Sequence, residues 1–163
     1  MRHDLKFLQL LDLLKQRWEF TPDIEVTMEC NPDTLTLQSL EEYRQIGINR
    51  ISMGMQSANT SVLRTLDRTH NPENVAKSIE SARIAGFENI SLDLIYGTPG
   101  ETLAEWESTV KTALSYGVDH LSAYALIVED GTKLSAKIKR GEINSPDDDL
   151  MAQMYLKVDE LAD

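Results

Sequence analysis

Apolar positions along the chain switch between two spacings, and the switch recurs. Phe7, Leu11, Leu14 and Trp18 fall on one helical stripe, as do Leu37, Leu40, Tyr43 and Ile46. Between such stretches lie short runs of alternating character, at about 24–29, 50–56, 90–96 and 120–127, the period of strands. Three times the passage from helix to strand is written alike: Gly47-Ile-Asn-Arg-Ile-Ser52, Gly86-Phe-Glu-Asn-Ile-Ser91 and Gly117-Val-Asp-His-Leu-Ser122. A glycine at that point accepts the left-handed conformation that ends a helix, and the apolar residue after it folds back on the last turn. The unit is helix, glycine stop, strand, repeated at the roughly 30–40 residues that βα architecture expects.

Helix starts carry their own signals. Asn71-Pro72 supplies an N-cap with proline at the first helical position. Thr102-Leu-Ala-Glu105 is a capping box ahead of the stripe Leu103, Trp106, Val110 and Ala113. Ser145-Pro146 opens a last helix with the stripe Met151, Met154, Val158 and Leu161. Trp18, Trp106 and the methionines read as core residues.

Strand parity separates two faces. Val26 and Met28, then Ile51, Met53 and Met55, then Ile90, Leu92 and Leu94, then Leu121, Ala123 and Ala125 make one face uniformly apolar. The other face is small or polar: Glu25, Thr27, Glu29; Ser52, Gly54, Gln56; Ser91, Asp93, Ile95; Ser122, Tyr124, Leu126. A doubly wound sheet, covered by helices on both sides, would be apolar on both. The expected fold is therefore α/β, a partial (β/α) barrel of about four parallel strands with helices on the outer face.

Active sites of such barrels lie at the C-terminal ends of the strands, where the inward positions are Glu29, Gln56, Asp93 and Tyr124. Buried carboxylates are costly unless paired, so their convergence suggests a polar ligand or a network with cations. Arg68, in Leu66-Asp-Arg-Thr-His70, is the candidate cation. The competing reading is that Glu29 and Asp93 satisfy backbone amides in tight loops.

Composition narrows the classes. Of 163 residues 41% are hydrophobic and 26% charged, as in an ordinary globular protein. No apolar run approaches the ~20 residues of a membrane span, and the N-terminus has no signal pattern, so a cytoplasmic location is expected. A formal net charge of −11, spread along the chain, argues against nucleic acid. The local basic cluster Lys133 to Arg140 reads as the solvated face of a short helix. Cys30 is the single cysteine, which excludes an internal disulfide and any site built from several thiolates of this chain. It reads as a small buried hydrophobe. His3, His70 and His120 lack metal-ligand spacing, His120 reading as structural and His70 as a loop residue beside Arg68. Neither Gly-x-Ser-x-Gly nor His-Glu-x-x-His occurs. Tyr96-Gly-Thr-Pro-Gly-Glu-Thr102 is a strong turn signal that could present a helix N-terminus to an anion, though it is not a P-loop.

An ordered run of motifs adds a family. Met28-Glu-Cys-Asn-Pro32, Arg50-Ile-Ser-Met-Gly-Met-Gln-Ser57, Leu66-Asp-Arg-Thr-His70, Asp93-Leu-Ile-Tyr-Gly-Thr-Pro-Gly100 and Leu121-Ser-Ala-Tyr-Ala-Leu-Ile127 together resemble the radical S-adenosylmethionine (SAM) enzymes of the oxygen-independent coproporphyrinogen III oxidase family. The stretches Tyr124–Thr132 and Ser145–Tyr155 resemble the branch described as heme chaperones. The resemblance implies that Glu29, Gln56, Arg68 and Asp93 bind S-adenosylmethionine, and that the backbone of Ile127 meets its adenine region. It implies a porphyrinogen or heme as partner of the full-length protein. It also implies a four-iron–four-sulfur cluster held by a Cys-x3-Cys-x2-Cys loop, which this chain lacks.

By that resemblance residues 1–144 are a partial barrel core without its first two strands, and 145–163 a helix leading toward a further C-terminal domain. Three readings follow: a fragment of a coproporphyrinogen oxidase-like protein, the core of a heme chaperone without oxidase activity, or an inactive truncated reading frame. In each, the chain alone is expected to be inactive, and its open barrel edge makes self-association an expectation.

Overall fold

The computed structural model describes residues 4–68 and 71–162. Strands β1 (Thr27–Cys30), β2 (Arg50–Gln56), β3 (Asn89–Tyr96) and β4 (His120–Ala125) form one sheet in the order β1-β2-β3-β4, every pair parallel. Parallel neighbours need a crossover, and helices supply each one. Helix α1 (Asp4–Arg17) precedes the sheet and α2 (Leu37–Ile46) joins β1 to β2. Helices α3 (Thr60–Thr65) and α4 (Pro72–Ile84) join β2 to β3, and α5 (Leu103–Ser115) joins β3 to β4. Helices α6 (Lys133–Lys139) and α7 (Asp148–Ala162) follow β4. Strands in sequential order, with no reversal, make the wall of a barrel rather than a doubly wound sheet.

The punctuating glycines behave as their chemistry requires. Gly47 and Gly86 have φ of 105° and 89°, and the next residue's N–H reaches back to close each helix, Ile48 to the Tyr43 carbonyl and Phe87 to that of Ala82. Ile48 and Phe87 are buried against the sheet. The polar residue that follows can stitch neighbouring strands. Asn49 accepts from Val26 N–H at 2.7 Å and donates to the Ile24 carbonyl at 2.7 Å, while Asp119 accepts from Ile90 N–H at 2.9 Å. This stitching shortens the first strand relative to expectation. Its ladder begins at Thr27, because the Asn49 side chain, with its own backbone N–H, takes up the groups at 24–26 that a ladder would use.

Ile51, Met53, Met55, Ile90, Leu92 and Leu94 are all buried between the sheet and its helices, with Leu40, Val75 and Val110 facing them. This is the apolar face that parity assigns. Trp106 is fully buried, its ring 5.4 Å from that of Tyr96, and its Nε1 donates to the Met154 carbonyl at 2.8 Å. Helix α7 is thereby fixed on α5. Its N-terminal cap is Asp147, which accepts from Leu150 N–H, rather than Ser145.

Trp18 departs from expectation. It lies one residue past α1 and is 60% exposed, and Phe7, Leu10 and Leu13 are exposed too. A helical stripe finds burial only where another element covers it, and α1 meets chiefly α2. The core reading holds for Trp106, Met53, Met55 and Met154 and fails for Trp18. No helix of the described residues is long and apolar enough to cross a membrane.

Candidate functional site

Four sequence-expected residues, Glu29, Gln56, Arg68 and Asp93, line one cavity of about 270 Å³ at the C-terminal ends of β1 to β3. Cys30, Asn31, Ser52 and Gly54 complete its lining. Each polar group arrives there for a local reason.

Glu29 stands next to the end of β1, where Asn31 caps a 3₁₀ turn (Pro32–Thr34) by accepting from Asp33 N–H. The Pro32 carbonyl accepts from Ser78 of α4 at 2.8 Å, which ties this rim to the outer helix layer. Asp93 sits mid-strand on β3 and accepts from the Ser52 hydroxyl at 3.1 and 3.2 Å to its two oxygens. That bond aims the carboxylate across the polar face of the sheet. It does not bind backbone amides in a tight loop, and Glu29 makes no hydrogen bond or ion pair among the described residues. The competing reading of these carboxylates thus finds no support in the geometry.

Gln56 is the strained member. Its φ is 64°, and Ser57 N–H donates to the Met55 carbonyl across it at 2.8 Å, a γ-turn of the rare positive-φ kind. The pairing with β3 shifts register at this point. Gln56 folds back over Gly54, so closely that a Cβ on residue 54 would lie 2.6 Å from its Nε2. Glycine at 54 is what leaves room for the amide in the cavity. A non-glycine residue held at positive φ costs about 1–3 kcal/mol and is typical of functional sites.

Arg68 is delivered by α3, a helix the hydrophobic pattern missed. Its signal is Asn59, which caps Ser61 N–H ahead of the buried pair Val62 and Leu63. The helix ends without glycine: Asp67 adopts φ 56°, and Arg68 N–H bonds the Leu63 carbonyl at 2.8 Å. His70 and His3 lie outside the described residues. His120 contacts Ser91 through Nδ1 at 3.1 Å, at the N-terminal side of the sheet, as a structural residue should.

Two expected residues do not join this cavity. Tyr124 is 58% exposed and lines neither this cavity nor the one beside it. Ile127 lies beyond β4, which ends at Ala125, and lines the adjacent cavity of about 550 Å³, where Arg68 also reaches. Arg68 is the shared wall of the two.

Cys30 is half-buried, and burial, then the neighbouring Glu29 charge, pushes its thiol up to about 11. It stays protonated near neutral pH and is suited neither to attack nor to metal ligation. Among the described residues no three His, Cys, Asp or Glu side chains are grouped to hold a metal.

In the loop after β3, carboxylates of the same segment take up the donors of Thr98 and Thr102. Glu105 accepts from the N–H and hydroxyl of Thr102, and Glu101 accepts from Thr98 N–H at 3.2 Å. Glu101 is 3% exposed, and its Oε1 and the Thr98 Oγ1 are the buried side-chain polar atoms left unpaired among the described residues. Burial pushes the Glu101 carboxyl up to about 7; the Thr98 amide partly offsets this, Glu105 adds to it, and the Gly97 amide opposes it. The unfolded group titrates near 4.5, so the folded state retains a proton that the unfolded state releases across the window 4.5 to 7. Stability from this group is present below that window and falls as pH rises through it. Glu101→Gln is expected to remove that decline, of about 2 kcal/mol, from urea midpoints measured between pH 5 and 8. Parallel pH profiles for the two proteins would refute the assignment.

The sequence and fold have counterparts among known proteins. A Radical SAM superfamily profile matches residues 3–113. Over 150 residues the chain is 45% identical to the heme chaperone HemW of Mycobacterium tuberculosis, covering 92% of this chain and 38% of that protein. It is 38% identical over 148 residues to the HemW of Bacillus subtilis, covering 90% of this chain and 39% of that one. The solved coproporphyrinogen III oxidase (HemN) from Escherichia coli, a radical SAM enzyme, superposes with a TM-score of 0.78 at 28% identity, over 98% of this chain and 36% of that one. The chain spans under two-fifths of the length of these proteins. Its four parallel strands with surrounding helices match the barrel-type fold of the oxidase as an open sheet. With well over half of its residues matched by the superfamily profile and the same fold in its core, the chain belongs to the radical SAM superfamily.

Proposed function

We propose that this chain is a core piece of a heme- or porphyrin-directed radical SAM protein, with Glu29, Gln56, Arg68 and Asp93 forming one wall of an S-adenosylmethionine site. The observation that supports this reading is the meeting of those four side chains, from three strands and a loop, in one cavity. Their chemistry suits the ligand. Carboxylates accept from an ammonium group and ribose hydroxyls, an amide bonds either kind of partner, and a guanidinium pairs with a carboxylate. Ile127, on the far side of Arg68, is assigned to the adenine end.

A four-iron–four-sulfur cluster does not fit the residues of this chain. Cys30 is its single thiol, and that thiol is held protonated. No reductive cleavage of S-adenosylmethionine is assigned to this chain. Between the heme-chaperone and oxidase readings, the 45% identity to a HemW against 28% to HemN favours the chaperone branch. Heme or a porphyrinogen is accordingly the proposed partner of the longer protein, in the cytoplasm. We assign residues 1–144 to the barrel core and 145–163 to the connection with a further domain, and the free edge of β1 to self-association.

Two measurements test this. Equilibrium dialysis should show S-adenosylmethionine binding in the millimolar range, as one wall of a site allows; micromolar binding would contradict a half-built site. Anaerobic incubation with iron and sulfide should leave the chain without iron–sulfur absorbance. A stoichiometric cluster would overturn the assignment.

A further inference from the structure

Where β2 ends, the next backbone N–H groups leave the sheet, and each needs a partner outside the ladder. Ser57 N–H closes the turn over Gln56 on the Met55 carbonyl. Ala58 N–H donates to the Thr109 hydroxyl at 3.3 Å, and Asn59 N–H to the Ser57 hydroxyl at 3.0 Å. The two hydroxyls lie 3.2 Å apart, and both residues are fully buried. The turn that carries Gln56 is thus pinned from outside the sheet, by a side chain of α5.

Packing alone gives no reason for a threonine at 109. The buried residues of α5 are Trp106, Thr109, Val110 and Ala113, an apolar face broken at 109 alone. Valine has the same shape, and a hydroxyl taken out of water is costly unless it finds hydrogen bonds. Here it finds two, both in the segment directly behind Gln56. Strained conformations persist only where their surroundings over-determine them. Gln56, at φ 64° and at a register shift against β3, is such a residue. Its side chain lines the polar cavity, whereas Thr109 does not.

We propose that Thr109 is a positioning residue of the ligand wall: through its hydrogen bonds to Ser57 and Ala58 it holds residue 56 in the left-handed conformation that turns the Gln56 amide into the cavity. The effect on affinity rests on the S-adenosylmethionine reading above; the effect on backbone conformation does not. Without the hydroxyl, Ala58 N–H and the Ser57 hydroxyl lose their shared partner, and residue 56 relaxes toward the extended region that non-glycine residues prefer. The amide then leaves the space that Gly54 keeps open for it.

The test uses the intact chain and two readouts. A positive φ brings a residue's own amide and α protons close together, so Gln56 should give a strong intraresidue cross-peak in an amide-resolved NOE spectrum. Thr109→Val should lose that peak and weaken S-adenosylmethionine binding about fivefold, a coupling of ordinary size within one hydrogen-bonded network. Thr109→Ser keeps the hydroxyl and should retain both peak and affinity. Thr112→Val removes a hydroxyl of the same helix that bonds the Ser108 carbonyl instead, and should change neither. Ser57→Ala breaks the pair from its other side and should repeat the Thr109→Val result, which keeps the test decisive if Thr109→Val does not fold. In a Gln56→Ala background, Thr109→Val should cost no further affinity. An unchanged peak in Thr109→Val or Ser57→Ala, a lost peak with unchanged affinity, or equal losses in Thr109→Ser or Thr112→Val would overturn the proposal. So would a full affinity loss in the Gln56→Ala background. A wild-type chain that binds no S-adenosylmethionine would count against the ligand assignment, and the cross-peak would still decide the role of Thr109.

Discussion

Trp106→Ala should lower the unfolding free energy by about 4 kcal/mol, read as a shift of the urea midpoint. Removing a fully buried Trp side chain typically costs about 3–5 kcal/mol. Here the loss includes the contact with Tyr96 and the donor to the Met154 carbonyl, which is left buried without that partner. A domain of this size has only about 5–15 kcal/mol in total, so much of its stability is at stake. Trp106→Phe keeps an aromatic ring and loses the hydrogen bond, and should cost about half as much. Fluorescence gives an independent reading. Of the two tryptophans, Trp106 is fully buried and Trp18 is 60% exposed, so the alanine variant should emit only as a solvated indole. An unchanged midpoint would mean that α7 is not held through Trp106.

The second large effect concerns ligand binding. Asp93→Ala should weaken S-adenosylmethionine binding at least tenfold, equivalent to about 1.4 kcal/mol. An ionised acceptor contributes about 1.5–3 kcal/mol through a hydrogen bond to a ligand donor. The carboxylate is aimed by Ser52, whose hydroxyl meets both its oxygens. Ser52→Ala should therefore give a smaller loss, about threefold, because the acceptor remains and only its orientation relaxes. Equal affinities for wild type and Asp93→Ala, measured by dialysis, would remove Asp93 from the site.

Much of this fold is legible in sequence because its signals are local. Glycine at 47 and 86 is required by positive φ, and strand parity separates the buried Ile51, Met53 and Met55 from Ser52 and Gly54. The convergence of Glu29, Gln56 and Asp93 follows from parity plus a parallel order, and the structure brings all three to one cavity. What escapes is set by tertiary context. Trp18 lies on a helical stripe, but it is left 60% exposed among the described residues. Tyr124 shares the parity of Asp93 yet is exposed on β4, which is the edge strand of the sheet among the described residues. Helix α3 closes on Asp67 in a left-handed conformation without a glycine, so its end carries no obvious mark. The basic run of α6 is solvated as read, Lys133 being 84% exposed, but nothing in its own segment shows that Lys133 meets Asp67 at the end of α3. The buried Glu101 is invisible for the same reason: its burial is set by tertiary packing, as is the approach of Met151 to Gly97 in the same loop.

The central claim, that the polar cavity is one wall of an S-adenosylmethionine site, is tested most directly by amide NMR shift mapping of the chain during titration with S-adenosylmethionine. The expected result is saturable millimolar binding, with perturbations confined to Glu29–Asn31, Ser52–Ser57, Arg68, Asp93 and Leu126–Ile127. Perturbations scattered over the outer helices, or none at millimolar ligand, would contradict it.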